Sequence, residues 1–151
     1  MKVKFLLAAV VIISFVGISA FVNRHATPAS TDSINFIEQD WQKALTEAKS
    51  KNKLVFVDVY ATWCGPCRML KQKTFTNKKV ADFFNANFVN VSVDAEKGVG
   101  VELSNKFGVS AYPTLLVTDA SGKPLLYTVG YMEPGELLSF ANAAIKKKGK
   151  S

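Results

Sequence analysis

Cysteine is scarce in this 151-residue chain: it occurs twice, at Cys64 and Cys67, and histidine occurs once, at His25. A single possible pair cannot build the disulfide framework that staples many small exported domains. A bridge between residues three apart closes so short a loop that it constrains little of the unfolded chain. A structural zinc site usually needs four cysteine or histidine ligands, and His25 lies in a polar stretch far from the pair. Internal repeats are absent, and only the two tails are biased in composition. Glu96-Lys-Gly-Val-Gly100 lacks both the glycine spacing and the Gly-Lys-Ser/Thr ending of a phosphate loop. Acidic residues are in the minority, and the formal charge is +7, two of which are Lys2 and Lys4. The basic residues are scattered and no nucleic-acid motif accompanies them, so no nucleic-acid partner is expected. Chemistry is the remaining explanation for the two thiols.

Lys2 and Lys4 precede an apolar stretch from Phe5 to Val22, relieved by Ser14, Gly17 and Ser19. A basic start, an apolar core and small residues near Ala20 form the pattern of a secretory signal. The stretch is also at the short edge of what spans a bilayer, so residues 1–22 are read as a signal peptide or an N-terminal anchor. It has no polar face, unlike a helix at the margin of a globular core. No cysteine follows it closely enough to carry a lipid. Both outcomes place the folded part in the periplasm or another extracytoplasmic space, with membrane contact only if the segment is uncleaved. Residues 23–33 are small and polar around Pro28 and read as a linker. Residues 34–148 have the length of one domain, and a monomer is expected.

Within that domain, Ile34–Ile37 is expected as a short strand and Asp40–Ser50 as a helix with Trp41, Ala44, Leu45 and Ala48 on one face. Leu54–Tyr60 is a β-branched and aromatic run that reads as a buried strand. A helix begins at the cysteines, is interrupted at Thr76-Asn77, and resumes through Val80–Phe84. Phe88–Asp94 alternates as a strand, and a helix is expected around Val101–Phe107. Thr114–Thr118 and Pro124–Gly130 form a hairpin about the turn Asp119–Gly122. The last helix starts at Glu133-Pro134, with proline where no amide donor is lost, and ends on Lys146-Lys-Lys148. The order implies an α/β fold: a central mixed sheet flanked by helices on both faces. Cys64 thus stands at a strand-to-helix turn, where a helix N-terminus favours a thiolate, and the pair reads as a thiol-disulfide exchange site.

The residues that carry a family resemblance are Cys64-Gly65-Pro66-Cys67, Asp58 six positions earlier, Tyr112-Pro113-Thr114, and Gly130. In this order they resemble the thioredoxin superfamily, from about Asn35 to Lys147, and the quartet matches the active-site motif of thioredoxin itself. Lys73-Thr-Phe-Thr-Asn77 and the helix break there are more similar to the C-terminal domain of the transmembrane reductant carrier DsbD. The resemblance implies a thioredoxin-like fold, Cys64 as nucleophile and Cys67 as resolving thiol. It also implies that Asp58 is a buried proton relay with a raised pKa, and that Pro113 is a cis-proline packed on the disulfide. Tyr112 would then pair with an extended substrate, and Trp63, Gly65, Pro66 and Gly130 would complete the docking surface. No cofactor is implied beyond the redox-active Cys64–Cys67 disulfide, and no metal.

Three residues depart from the family pattern. Asn90 stands where thioredoxin has a lysine near the buried carboxylate, Tyr60 replaces a tryptophan, and Tyr112 is bulkier than the residue usually found before the proline. Arg68, after the resolving cysteine, reads equally as an ordinary exposed helix residue. Three functions are open. A reductase of protein disulfides is favoured by Gly65-Pro66, which resembles members near −270 mV, and would draw electrons from a DsbD-type membrane donor. An oxidase or isomerase would use the same residues in the other direction. A non-catalytic binding module would tolerate loss of a cysteine, and this chain keeps both.

Overall fold

The computed structural model describes residues 32–149. The signal or anchor over 1–22 and nearly all of the 23–33 linker lie outside the described residues. The elements are β1 (Phe36–Glu38), α1 (Trp41–Lys51), β2 (Leu54–Tyr60), α2 (Gly65–Met69), a π-helical turn (Leu70–Thr74), α3 (Lys78–Asn87), β3 (Phe88–Asp94), α4 (Val99–Phe107), β4 (Thr114–Thr118), β5 (Pro124–Val129) and α5 (Pro134–Lys148).

The capping residues have local causes. Asp40 accepts the Lys43 amide at 2.9 Å and starts α1. Asn77 accepts the Lys79 and Val80 amides and starts α3, as the Thr76-Asn77 break suggests. Glu133 and Glu136 form a reciprocal capping box at α5. The first strand begins two residues later than expected. Ile34 is buried, but its amide donates to the Phe75 carbonyl at 2.9 Å and the Asn35 amide donates to Asn85 Oδ1 at 2.8 Å. Those donors are committed elsewhere before the ladder starts.

The strands form one sheet in the order β1-β3-β2-β4-β5. The β1–β3 and β3–β2 pairs are parallel, whereas β2–β4 and β4–β5 are antiparallel, so β2 is the seam between the two halves. Because side chains alternate across a strand, β2 feeds two cores. Phe56 packs with Leu70, Phe75, Phe84, Leu115 and Leu137 beneath the π-helical turn, α3 and α5. Val55, Val57 and Val59 pack with Trp41, Ala44, Ala48 and Leu103 beneath α1 and α4. Helix α4 lies so close to the end of β3 that a Cβ on Gly100 would overlap the Asp94 carbonyl. No helix of the described residues is long and apolar enough to cross a membrane.

Candidate active site

Cys64 and Cys67 are joined by a disulfide, with Cα atoms 5.3 Å apart. Strand β2 ends at Tyr60, and the Cys64 amide donates to the Ala61 carbonyl at 3.1 Å, which turns the chain into α2. Cys64 is the N-cap: its Sγ accepts the Cys67 amide at 3.1 Å. Pro66 occupies the first helical turn, where its missing N–H removes no intrahelical bond. The same unpaired amides that receive Sγ here would stabilise a Cys64 thiolate after reduction. Both cysteines are only 3% exposed, packed against Ala61, Tyr60 and Tyr112.

Asp58 lies on the same β2 face as Phe56, between Phe56 and Tyr60 in alternation and between Ser92 and Leu115 across the sheet. It is buried, and Ser92 Oγ donates to its Oδ2 at 3.0 Å, while Oδ1 has no protein partner. Burial pushes its pKa from 3.8 up to about 6. The charge of Lys71 and the Ser92 hydrogen bond pull against that rise, and the charge of Glu38 adds to it. A carboxylate that titrates near neutrality is suited to take a proton from a thiol.

The Tyr112–Pro113 peptide bond is cis, Pro113 is buried, and its carbonyl accepts the Gly130 amide at 2.8 Å. Gly130 has φ +102°, a conformation that a side chain would strain. Gly130 therefore fixes the proline loop from behind. A Cβ on Gly65 would meet nothing within 4 Å, so that position is open to solvent and to an approaching chain. Trp63 is 65% exposed, with its indole edge-on to Tyr112 at 5.9 Å and Nε1 donating to Glu96 Oε1 at 2.9 Å. Trp63, Tyr112 and the Pro113 loop make one aromatic rim beside the disulfide. Arg68 is exposed on α2, and its guanidinium reaches back to the Thr62 carbonyl.

Asn90 sits one alternation below Ser92 on β3, opposite Phe56, and donates to the Asn35 carbonyl and to Asn85 Oδ1, each at 3.3 Å. The cation that acts on Asp58 comes instead from Lys71, whose Nζ lies 3.5 Å from the centre of the Tyr60 ring. Lys71 and Ser92 are site residues that the sequence reading missed. The pairing of β2 with β3 could have supplied Ser92; nothing in the local sequence marks Lys71 among its basic neighbours. Among the described residues, no group of three or more histidine, cysteine, aspartate or glutamate side chains is placed to hold a metal.

The model of a thioredoxin-like domain family matches residues 41–145. Thioredoxin H2 of Arabidopsis thaliana is 38% identical over 91 residues, covering 60% of this chain and 62% of its own. The thiol:disulfide interchange protein DsbD of Tatumella citrea is 30% identical over 146 residues, covering 92% of this chain but 25% of DsbD. The chain thus spans less than two thirds of either relative. Among solved structures, a candidate disulphide-isomerase from Bacteroides thetaiotaomicron is 45% identical with a TM-score of 0.69, covering 78% of this chain and 98% of that one.

Proposed function

Since the chain belongs to the thioredoxin-like domain family of disulfide oxidoreductases, we propose that it is an exported reductase of protein disulfides. The observation that carries the reading is the Cys64–Cys67 disulfide at the N-terminus of α2, directly after a strand whose buried Asp58 has its pKa pushed up to about 6. In the reduced protein the Cys64 thiolate attacks a substrate disulfide. A Cys64–substrate mixed disulfide forms, and the first substrate sulfur leaves as a thiolate and takes a proton from water. Asp58 then accepts the Cys67 proton, and Cys67 attacks Cys64 Sγ. The second substrate thiolate leaves, so the substrate has gained two electrons and the Cys64–Cys67 disulfide is formed. Another dithiol must return those electrons. The match to DsbD supports a membrane carrier of that type as the donor.

Trp63, Tyr112 and the backbone beside Pro113 would hold an extended segment of the substrate across the Cys64 sulfur. The apolar run Phe5–Val22 supports export. Gly65-Pro66 supports the reducing direction, whereas the resemblance to a candidate disulphide-isomerase favours isomerisation as a second reading. Equilibration with glutathione, together with insulin-reduction turnover, separates the two. A reductase would have a potential near −270 mV and turn over insulin; a value above about −200 mV, with reactivation of scrambled ribonuclease, would replace it with the isomerase.

A further inference from the structure

The turn that follows the active-site helix is π-helical: the Phe75 amide donates to the Leu70 carbonyl at 2.8 Å, five residues back. Such wide turns cluster at functional sites because they re-aim the side chains around them. Here Leu70, Thr74 and Phe75 are all buried, while Lys71 is exposed. Lys71 is four residues after Cys67, and its side chain reaches Tyr60 on β2, two residues beyond Asp58 on the same face of the strand. Its Nζ sits 3.5 Å from the centre of the Tyr60 ring, close enough for a cation–π contact.

Around that ammonium the sheet gathers acids from three strands. Glu38 of β1, Ser92 of β3 and Asp58 of β2 lie side by side in register, and Asp94 pairs with Tyr60 one alternation further on. Glu38, Asp58 and Asp94 all have their proton affinity lowered by the charge of Lys71. Asp94 has a cation of its own, since Lys97 Nζ is 3.0 Å from its Oδ2. Glu38 is exposed and meets solvent. Asp58 is buried with one oxygen unpartnered, and Leu115 on its β4 side is apolar. Asp58 is therefore the acid for which Lys71 matters most.

We propose that Lys71 is the positioning cation of this site: seated on Tyr60, its ammonium holds Asp58 ready as the base that takes the Cys67 proton. This rests on the exchange reading above and supplies the residue that sets its working pH. Lys71 acts through Asp58. The acid limb of the resolving step follows Asp58, so it moves to higher pH when the cation is lost.

The test follows the Asp58 carboxyl carbon by NMR across pH 4–9 in the oxidised full-length chain, labelled at aspartate. Lys71→Met should raise its titration midpoint by about one pH unit, the low end for a cation near a buried carboxylate. Lys71→Arg should leave the midpoint where it is. In the reduced protein at pH 6, Lys71→Met should slow resolution of a preformed mixed disulfide about fivefold, as the ionised fraction of Asp58 falls from about one half to about one eleventh. An unmoved midpoint in Lys71→Met overturns the proposal, and so does an equal shift in Lys71→Arg, which would mark a packing role. The oxidised titration needs no exchange activity, so a wild-type protein that fails to exchange disulfides would remove the functional reading without touching this measurement.

Discussion

Asp58→Asn separates the energetic cost of the site from its chemistry. A carboxyl whose pKa is 3.8 in the unfolded chain and about 6 in the fold is protonated more readily when folded. Between those values the native state binds more protons than the unfolded state, so stability falls as pH rises. The destabilisation is absent below about pH 3.8 and complete above about pH 6. At 1.36 kcal/mol per pH unit it reaches about 3 kcal/mol. Asparagine keeps an acceptor for Ser92 but carries no charge, and it leaves an amide hydrogen without a partner where Oδ1 is now alone. That amide costs about 1–3 kcal/mol, the same at every pH. The gap between variant and wild type therefore isolates the ionisation. Urea unfolding of both oxidised proteins at pH 4.5 and pH 8 should show the gap moving by about 2 kcal/mol in favour of Asp58→Asn at the higher pH. A gap constant to within about 0.5 kcal/mol would refute the claim that Asp58 is buried as a charge at neutral pH.

Other substitutions probe the remaining parts. Cys67→Ser should stop turnover and accumulate a Cys64–substrate mixed disulfide, seen as a reducible adduct by mass spectrometry. Trp63→Ala should lower kcat/KM for a protein disulfide about tenfold, with little change for a small dithiol pair, since the indole contributes docking area and no reacting atom. Gly100→Ala should destabilise the domain by roughly 3 kcal/mol in urea melts, because its Cβ would meet main-chain atoms of Asp94 that cannot give way. Phe56→Ala should cost about 3–5 kcal/mol, as it empties the centre of the core beneath α3 and α5.

Much of this was legible in the residues. β2, β3 and β4 have the bounds that their apolar runs suggest, and Asp58 was marked by standing as a carboxylate in such a run. The cap of α3 at Asn77 was also readable, whereas those at Asp40 and Glu133 were seen only as helix starts. What escaped was set by tertiary contacts. Ile34 has the composition of a strand residue, yet its amide is taken by Phe75 from a distant turn. The widened turn at Leu70–Thr74 has no local signature, and without it Lys71 is one basic residue among Arg68, Lys71 and Lys73. Matching Asn90 to a lysine of related chains pointed to a missing charge. The sheet register places Ser92 beside Asp58, and a helix supplies the cation from above the sheet.

The strand order has a further consequence, for behaviour in concentrated solution. The outermost strands are β1, three residues long, and β5, which begins at Pro124 and whose register with β4 shifts at Val117/Thr118. A short border and a border headed by a residue without an amide hydrogen are poor templates for another chain to pair with. The long apolar strands β2 and β3, which would be the most hazardous if bared, lie inside the sheet with partners on both sides. The strand order thereby keeps the two most apolar strands away from both borders of the sheet.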